Sequence, residues 1–284
     1  MTAILDPITD SLIDLALAEE LAAGDVTTEA CVLPEARGSG RLVAREPCVL
    51  SGASVAREVF RRVDPDTTWS AAREEGALLQ AGDTVARVEG RLASLLKAER
   101  TALNFLRHLC GVATQTRRFV EAAARGGAAT VRVVDTRKTT PGMRSLEKAA
   151  VRAGGGVNHR FHLGDGVLIK DNHLIAAGGI TAALERARAH AHHLLRLEVE
   201  VESLAGLQEA LDAGADAVLL DNMSPAEVAL AVRLAAGRVL LEASGGIDLR
   251  TIAGYAATGV DLISVGALTH GAVDADLALD LDQA

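Results

Sequence analysis

From residue 131 onward the chain repeats one pattern: a short apolar run, an amphipathic stretch, then another apolar run. The runs fall at 131–134, 167–169, 197–201, 217–220, 239–241 and 262–265. The stretches between them carry helix signals. Ser203 is placed to cap a helix over 204–213, Ser224-Pro225-Ala226-Glu227 reads as a capping box with Pro at N1, and Asp248 is placed to cap a helix ending before Gly259. Strand, helix and strand at this spacing predict a parallel sheet with right-handed crossovers. Six units can be counted, whereas a closed barrel of this kind needs about eight. The expected fold class is therefore α/β, an irregular (incomplete) α/β barrel rather than a doubly wound sheet.

The first third of the chain has another texture. Thr9 or Asp10 is placed to cap a helix reaching Ala23, and strands are expected at 40–44, 48–51, 67–72 and 84–89, with a helix over 54–63. A Gly82-Asp83 turn before an alternating strand is similar to lipoyl-type sandwich domains. No lysine precedes Lys97, so a carrier role is excluded for want of a residue to acylate. Residues 92–125 are helical, expected as two helices broken near Gly111, and Arg100 lies on them as an ordinary surface residue. The boundary is placed at 105/106, giving domains 1–105 and 106–284, with the C-terminal tail packing back on the first.

Polar residues gather at the C-terminal ends of the barrel strands: Asp135-Thr136-Arg137-Lys138, Lys170-Asp171-Asn172, Glu200 with Glu202, Asp221-Asn222, Ser244-Gly245-Gly246 and Gly266. In an α/β barrel these ends share one mouth, so residues far apart in sequence line one pocket. Any one of them could merely cap a helix; so many in register form a stronger signal. The chain carries a formal charge of −9, yet residues 131–173 hold eight Lys or Arg against four acids. Lysine is rare here, and three of the four lysines (Lys138, Lys148, Lys170) fall in that window. Arg137 and Arg160 offer planar forks for carboxylate or phosphate. The glycines of 154–156 allow close backbone approach, and 244–246 and 265–267 offer backbone N–H groups at helix starts. Glu200 and Asp221 sit opposite these cations, and pairing with the arginines is the simpler role for them. The other role is to hold Mg²⁺ or sugar hydroxyls. A small ligand combining carboxylates, sugar and phosphate fits the whole set.

Composition removes other classes. Aromatic residues are 2 % of the chain and the net charge is negative, which argues against stacking on bases or tracking phosphates, so no nucleic acid is expected. Cys31, Cys48 and Cys110 lie far apart and support neither disulfides nor a zinc site; each reads as a small buried hydrophobe. The N-terminal stretch carries acids where a signal peptide carries positive charge, and no apolar run spans a bilayer, so a soluble cytoplasmic protein is expected.

The motifs DTRKTTPGMRSLEKAAVRAGGGVNHR, IKDNH, EVEV, LLDN, ASGGI and VGALTH, in this order, resemble the quinolinate phosphoribosyltransferase family (nicotinate-nucleotide pyrophosphorylase, carboxylating), and the likeness runs from GDVTT at 24–28 to GALTH at 266–270. The resemblance implies an N-terminal α/β sandwich domain, an irregular barrel, and a homodimer whose sites form at the subunit interface. It also implies a glycosyltransferase of NAD biosynthesis, in which phosphoribosyl passes from phosphoribosyl pyrophosphate to quinolinate with Mg²⁺, giving nicotinate mononucleotide, CO₂ and pyrophosphate. By motif, Arg137, His159 and Arg160 would hold the quinolinate carboxylates, with Thr136 beside them. Lys138 and Lys170 would bridge towards the phosphates, and Arg100 would come from the partner subunit. Glu200 and Asp221 would bind ribose and metal, while Ser244, Gly245, Gly246, Val265, Gly266 and Ala267 would cradle the 5′-phosphate. Two positions depart from the family pattern: Ala150 stands where an aromatic is frequent, and Phe161-His162 is bulkier than usual. The alternative is the molybdenum-associated pyrophosphorylase-like family with a different acceptor, but Asn158 and Lys170 favour quinolinate. A Schiff-base lysine enzyme using Lys170 and a phosphate-ligand binding module without turnover are more distant rivals.

Overall fold

A computed structural model describes residues 6–127 and 131–282; residues 1–5, part of the stretch read for a signal peptide, lie outside it. Among the described residues the chain runs α1 (Pro7–Glu20), α2 (Val26–Cys31), β1 (Arg37–Ala44), β2 (Cys48–Val49), α3 (Ala53–Val63), β3 (Thr68–Ala71), β4 (Leu78–Leu79), β5 (Thr84–Arg91) and α4 (Leu92–Ala124). There follow β6 (Arg132–Val134), α5 (Arg144–Ala153), β7 (Val167–Ile169), α6 (Asp171–Ala177), α7 (Ile180–His190), β8 (Leu197–Val201), α8 (Leu204–Asp212) and β9 (Ala217–Asp221). The last elements are α9 (Pro225–Ala235), β10 (Leu240–Ser244), α10 (Ile252–Ala256), β11 (Leu262–Ser264), α11 (Ala267–His270) and β12 (Leu277–Leu281). No helix among them is long and apolar enough to cross a membrane.

Two compact units divide the chain: residues 1–117 with 139–155 and 269–284, and residues 118–138 with 156–268. Residues 105 and 106 fall inside α4.

In the first unit an antiparallel sheet has the order β12-β1-β5-β3, with β2 and β4 paired separately. The C-terminal strand β12 pairs along β1 from Gly40↔Leu281 to Ala44↔Leu277. Its core is aliphatic around Phe60, with Leu42, Leu50, Leu79, Leu95 and Leu106 fully buried. Three expectations are corrected here. The first helix is capped by Asp6, whose Oδ1 accepts from the N–H of Ile8 and Thr9 at 3.1 Å, with Pro7 at N1, so neither Thr9 nor Asp10 is the cap. Helix α4 is a single helix of 33 residues without a break at Gly111. Glycine is there because a Cβ would lie 2.3 Å from the carbonyl oxygen of Val273, a packing need rather than a helix stop. Cys31 is exposed, while Cys48 and Cys110 are buried as expected, and all three thiols are free.

The segment 139–155 is anchored in this unit by Glu147, which is fully buried. Its Oε2 accepts from the N–H of Thr140 at 3.1 Å and its Oε1 lies 2.8 Å from His108 Nε2. That hydrogen bond holds the His108 pKa above its ordinary value. Lys148 is also fully buried here.

The second unit is the barrel. Its six strands are all parallel, in the order β6-β11-β10-β9-β8-β7. The first barrel strand, β6, lies beside the last, β11, as ring closure demands; the seam left unpaired is between β6 and β7. Part of that seam is taken by Val157, which bridges to Val134 and exchanges backbone hydrogen bonds with Val133 and Asp135. The expected irregular barrel is therefore found, with its irregularity localised to one seam. Ser203 and Ser224 cap α8 and α9 as the sequence indicates, Ser224 in a capping box with Glu227. Asp248 instead caps the turn before α10, its Oδ1 accepting from the N–H groups of Arg250 and Thr251.

Candidate active site

Every residue proposed from the strand ends lies in the second unit; Arg100 lies in the first, exposed on α4. Thr136, Arg137 and Lys138 follow β6, where Thr136 Oγ1 accepts from the Lys138 N–H at 3.0 Å and tightens the turn. Asp135, fully buried at the end of the strand, accepts from the His159 N–H at 2.9 Å and from Asn158 Nδ2 at 2.6 Å. One carboxylate thus ties the Asn158-His159-Arg160 segment to β6. Arg160 donates from Nη1 to the Gly166 carbonyl at 2.8 Å. Burial lowers its pKa, and the neighbouring charge of Arg137 lowers it further. The cation sits where its surroundings resist it, a setting that favours binding of an anion.

After β7, Lys170 starts α6 with a cap of its own: its N–H donates to His173 Nδ1 at 2.9 Å. Lys170 Nζ is ion-paired with Glu200 Oε2 at the end of β8. Glu200 and Asp221 occupy neighbouring strands, and the end of β9 is locked to the end of β10. Asn222, at φ 55°, donates its N–H to the Ser244 carbonyl at 3.0 Å and its Nδ2 to Asp221 Oδ2 at 2.7 Å. Gly245 lies directly against it at φ 93°, where a Cβ would fall 2.2 Å from Asn222 Oδ1 and 2.8 Å from its backbone nitrogen. Only glycine fits there.

Several details differ from the sequence reading. Residues 244–246 do not start a helix, because α10 begins at Ile252; they form a loop in which Gly245 and Gly246 both have positive φ. The Val265 N–H is committed to the Val134 carbonyl at 3.0 Å, leaving the start of α11 at Gly266-Ala267 as the cradle candidate. Within the glycine run, Gly154 meets α4, where a Cβ would lie 2.4 Å from the Ala113 carbonyl oxygen, so its close approach serves helix packing rather than a ligand. Lys148 is fully buried in the first unit, whereas the strand-end residues belong to the second. His162 is largely exposed and turned to Asp165, 2.5 Å from Nδ1 to Oδ1.

The sequence reading missed two residues inside the barrel, Glu198 on β8 and Glu242 on β10. Their oxygens and His159 Nε2 all lie within 4.8 Å of one another. The signal was there: Glu198 is two residues from Glu200 and so faces the same way, and Glu242 is two before Ser244. Burial, with Glu198's charge second, raises the Glu242 pKa to about 7. An acid whose folded pKa lies above its ordinary 4.5 favours folding at low pH, and that contribution is lost as pH rises through about 7. Glu242→Gln should therefore leave thermal stability unchanged near about pH 5 and raise it near about pH 8, by on the order of 2 kcal/mol, as read by calorimetry.

Comparison with known proteins agrees with this geometry. The model described as "Quinolinate phosphoribosyl transferase, C-terminal domain" matches residues 112–280, and the corresponding N-terminal domain model matches residues 25–110. A nicotinate-nucleotide pyrophosphorylase (carboxylating) of Mycobacterium leprae is 46 % identical over 272 residues, covering 94 % of each chain. The human protein of the same name is 38 % identical over 285 residues, covering 99 % of this chain and 94 % of its own. The crystal structure of NadC from Streptococcus pyogenes superimposes with a TM-score of 0.93 at 42 % identity, with 99 % of each chain covered. These matches define an enzyme of the phosphoribosyltransferase class. The chain belongs to the quinolinate phosphoribosyl transferase family. They lend no support to the molybdenum-associated alternative.

Proposed function

We propose that the protein transfers phosphoribosyl from phosphoribosyl pyrophosphate to quinolinate and releases CO₂, giving nicotinate mononucleotide and pyrophosphate for NAD biosynthesis in the cytoplasm. The observation that carries this reading is the mouth itself: Arg137 and Arg160 held together against mutual repulsion on one side, with Glu200 and Asp221 on adjacent strands on the other. A dianionic pyridine relieves the first pair. As pyrophosphate leaves, C1 of the ribose becomes oxocarbenium-like, and the second pair stabilises the developing positive charge. The pyridine nitrogen bonds to C1 as the C1–O bond breaks. When the adjacent carboxylate departs as CO₂, the electron pair of the broken bond stays on the ring carbon, stabilised by the neighbouring positive pyridinium nitrogen, and a proton then bonds to that pair. Lys138 and Lys170 are the cations beside these events.

Two carboxylates, one of them already balanced by Lys170, form a hard-oxygen donor set that fits Mg²⁺, an ion that usually takes one or two protein carboxylates together with substrate phosphates. Glu200 and Asp221 would hold it, and bound there it would neutralise charge on the pyrophosphate. Thr136 belongs with the arginines on the acceptor side, and His159, whose ring nitrogens face the Arg160 N–H and Glu198, belongs there through the backbone that carries Arg160. The Ser244-Gly245-Gly246 loop and Gly266-Ala267 are assigned to the 5′-phosphate, with Val265 fixing the strand behind them.

Arg100 is assigned to the partner's site in a homodimer. If so, mixing the inactive variants Arg100→Ala and Arg137→Ala and allowing subunits to exchange should restore about a quarter of wild-type activity, since half the dimers would be mixed and each would have one intact site. No recovery would place Arg100 in its own subunit's site or outside catalysis.

The reading is tested by steady-state release of pyrophosphate with quinolinate and with nicotinate, with and without Mg²⁺. Release with quinolinate alone, dependent on Mg²⁺, supports it; release with nicotinate alone would overturn the acceptor assignment.

A further inference from the structure

His159 is fixed by its surroundings on more than one side. Its N–H is held by Asp135, and its ring Nδ1 accepts the N–H of Arg160 at 2.8 Å. A ring nitrogen that accepts a hydrogen bond carries a lone pair, so the neutral imidazole bears its proton on Nε2. That nitrogen points into the barrel, 3.3 Å from Glu198 Oε2 and 3.6 Å from Glu242 Oε2. The Glu242 side chain is 2 % exposed and its Oε2 has no hydrogen-bond partner. The spacing of the three side chains would suit a metal ion. Coordination, however, needs the lone pair that a protonated Nε2 lacks.

We infer that Glu198 and Glu242 are positioning residues for the acceptor: from inside the barrel they hold His159 in its Nε2–H form, and so fix the 158–160 backbone that aims Arg160. The inference rests on the reading of Arg160 as a quinolinate ligand. The Glu198 carboxyl oxygen gives the imidazole N–H an acceptor at 3.3 Å. A second carboxyl at Glu242, whose ionisation burial opposes, closes the cavity beside it. Asp135 holds the same segment through its backbone, so His159 is restrained from both ends and its neighbour Arg160 with it.

The test combines kinetics with ¹⁵N NMR of histidine-labelled full-length protein, the His159 signal being identified by its loss in His159→Asn. In the wild type that signal should show Nε2 protonated and Nδ1 bare. Glu198→Leu should raise KM for quinolinate by about 10- to 100-fold, with kcat and the KM for phosphoribosyl pyrophosphate changed by less than about threefold. Glu198→Gln, which keeps an acceptor oxygen, should recover most of that loss. A proton on Nδ1, a stoichiometric metal in the purified protein that is lost in His159→Asn, or an unchanged quinolinate KM in Glu198→Leu would each overturn the inference. A wild-type protein that transfers nothing to quinolinate would instead sink the functional reading, and the tautomer would still be decided by NMR in the same sample.

Discussion

Replacing Arg160 with alanine is expected to lower kcat/KM for quinolinate by about 10²- to 10³-fold, because the acceptor carboxylate loses a desolvated, bidentate partner. The KM for phosphoribosyl pyrophosphate should change by less than about threefold, since the ribose and phosphate groups lie at other strand ends. Stability should move the opposite way. Burial and the charge of Arg137 both disfavour the Arg160 guanidinium in the ligand-free protein. Its removal should hold or raise the melting temperature, as happens when a site strained for function is relaxed. Arg160→Lys should fall between wild type and alanine, because an ammonium keeps the charge and loses the fork. Equal losses for both substrates, or a lower melting temperature with full activity, would make Arg160 a structural residue.

The second large effect is expected at Gly245. A methyl group there would fall 2.2 Å from Asn222 Oδ1, and the backbone sits at a φ of 93° that L side chains rarely adopt. Gly245→Ala must therefore displace Asn222, and with it the carboxylate of Asp221 that Asn222 holds. We expect a loss of about 1–3 kcal/mol in stability and a KM for phosphoribosyl pyrophosphate raised by about 10²-fold, with quinolinate binding far less affected. Calorimetry and initial rates against each substrate check both parts. If the KM for quinolinate rose instead, the loop would belong to the acceptor side.

The barrel and its mouth were legible because a parallel sheet places every C-terminal strand end on one side, so residues from 137 to 266 could be grouped before any coordinate was known. Capping residues behaved similarly: Ser203 and Ser224 act locally, and local signals survive folding. What the sequence hid depends on partners distant in the chain. Gly111 resembles a helix breaker by propensity, yet it sits within a continuous helix because Val273 packs against it. Gly154 resembles a ligand loop and serves the same helix. Glu198 and Glu242 alternate with apolar neighbours as an ordinary solvent-facing strand would, and only barrel closure turns that face inward. The Val265 N–H looked available because its partner, Val134, is more than a hundred residues away in sequence.

The central claim joins two events in one turnover, and one measurement tests it most directly. Enzyme, Mg²⁺ and phosphoribosyl pyrophosphate are mixed with quinolinate labelled in the 2-carboxylate, and labelled CO₂ and pyrophosphate are followed together. The account predicts equal amounts of both, with nicotinate mononucleotide formed in the same ratio. Pyrophosphate without labelled CO₂, or CO₂ without pyrophosphate, would contradict it.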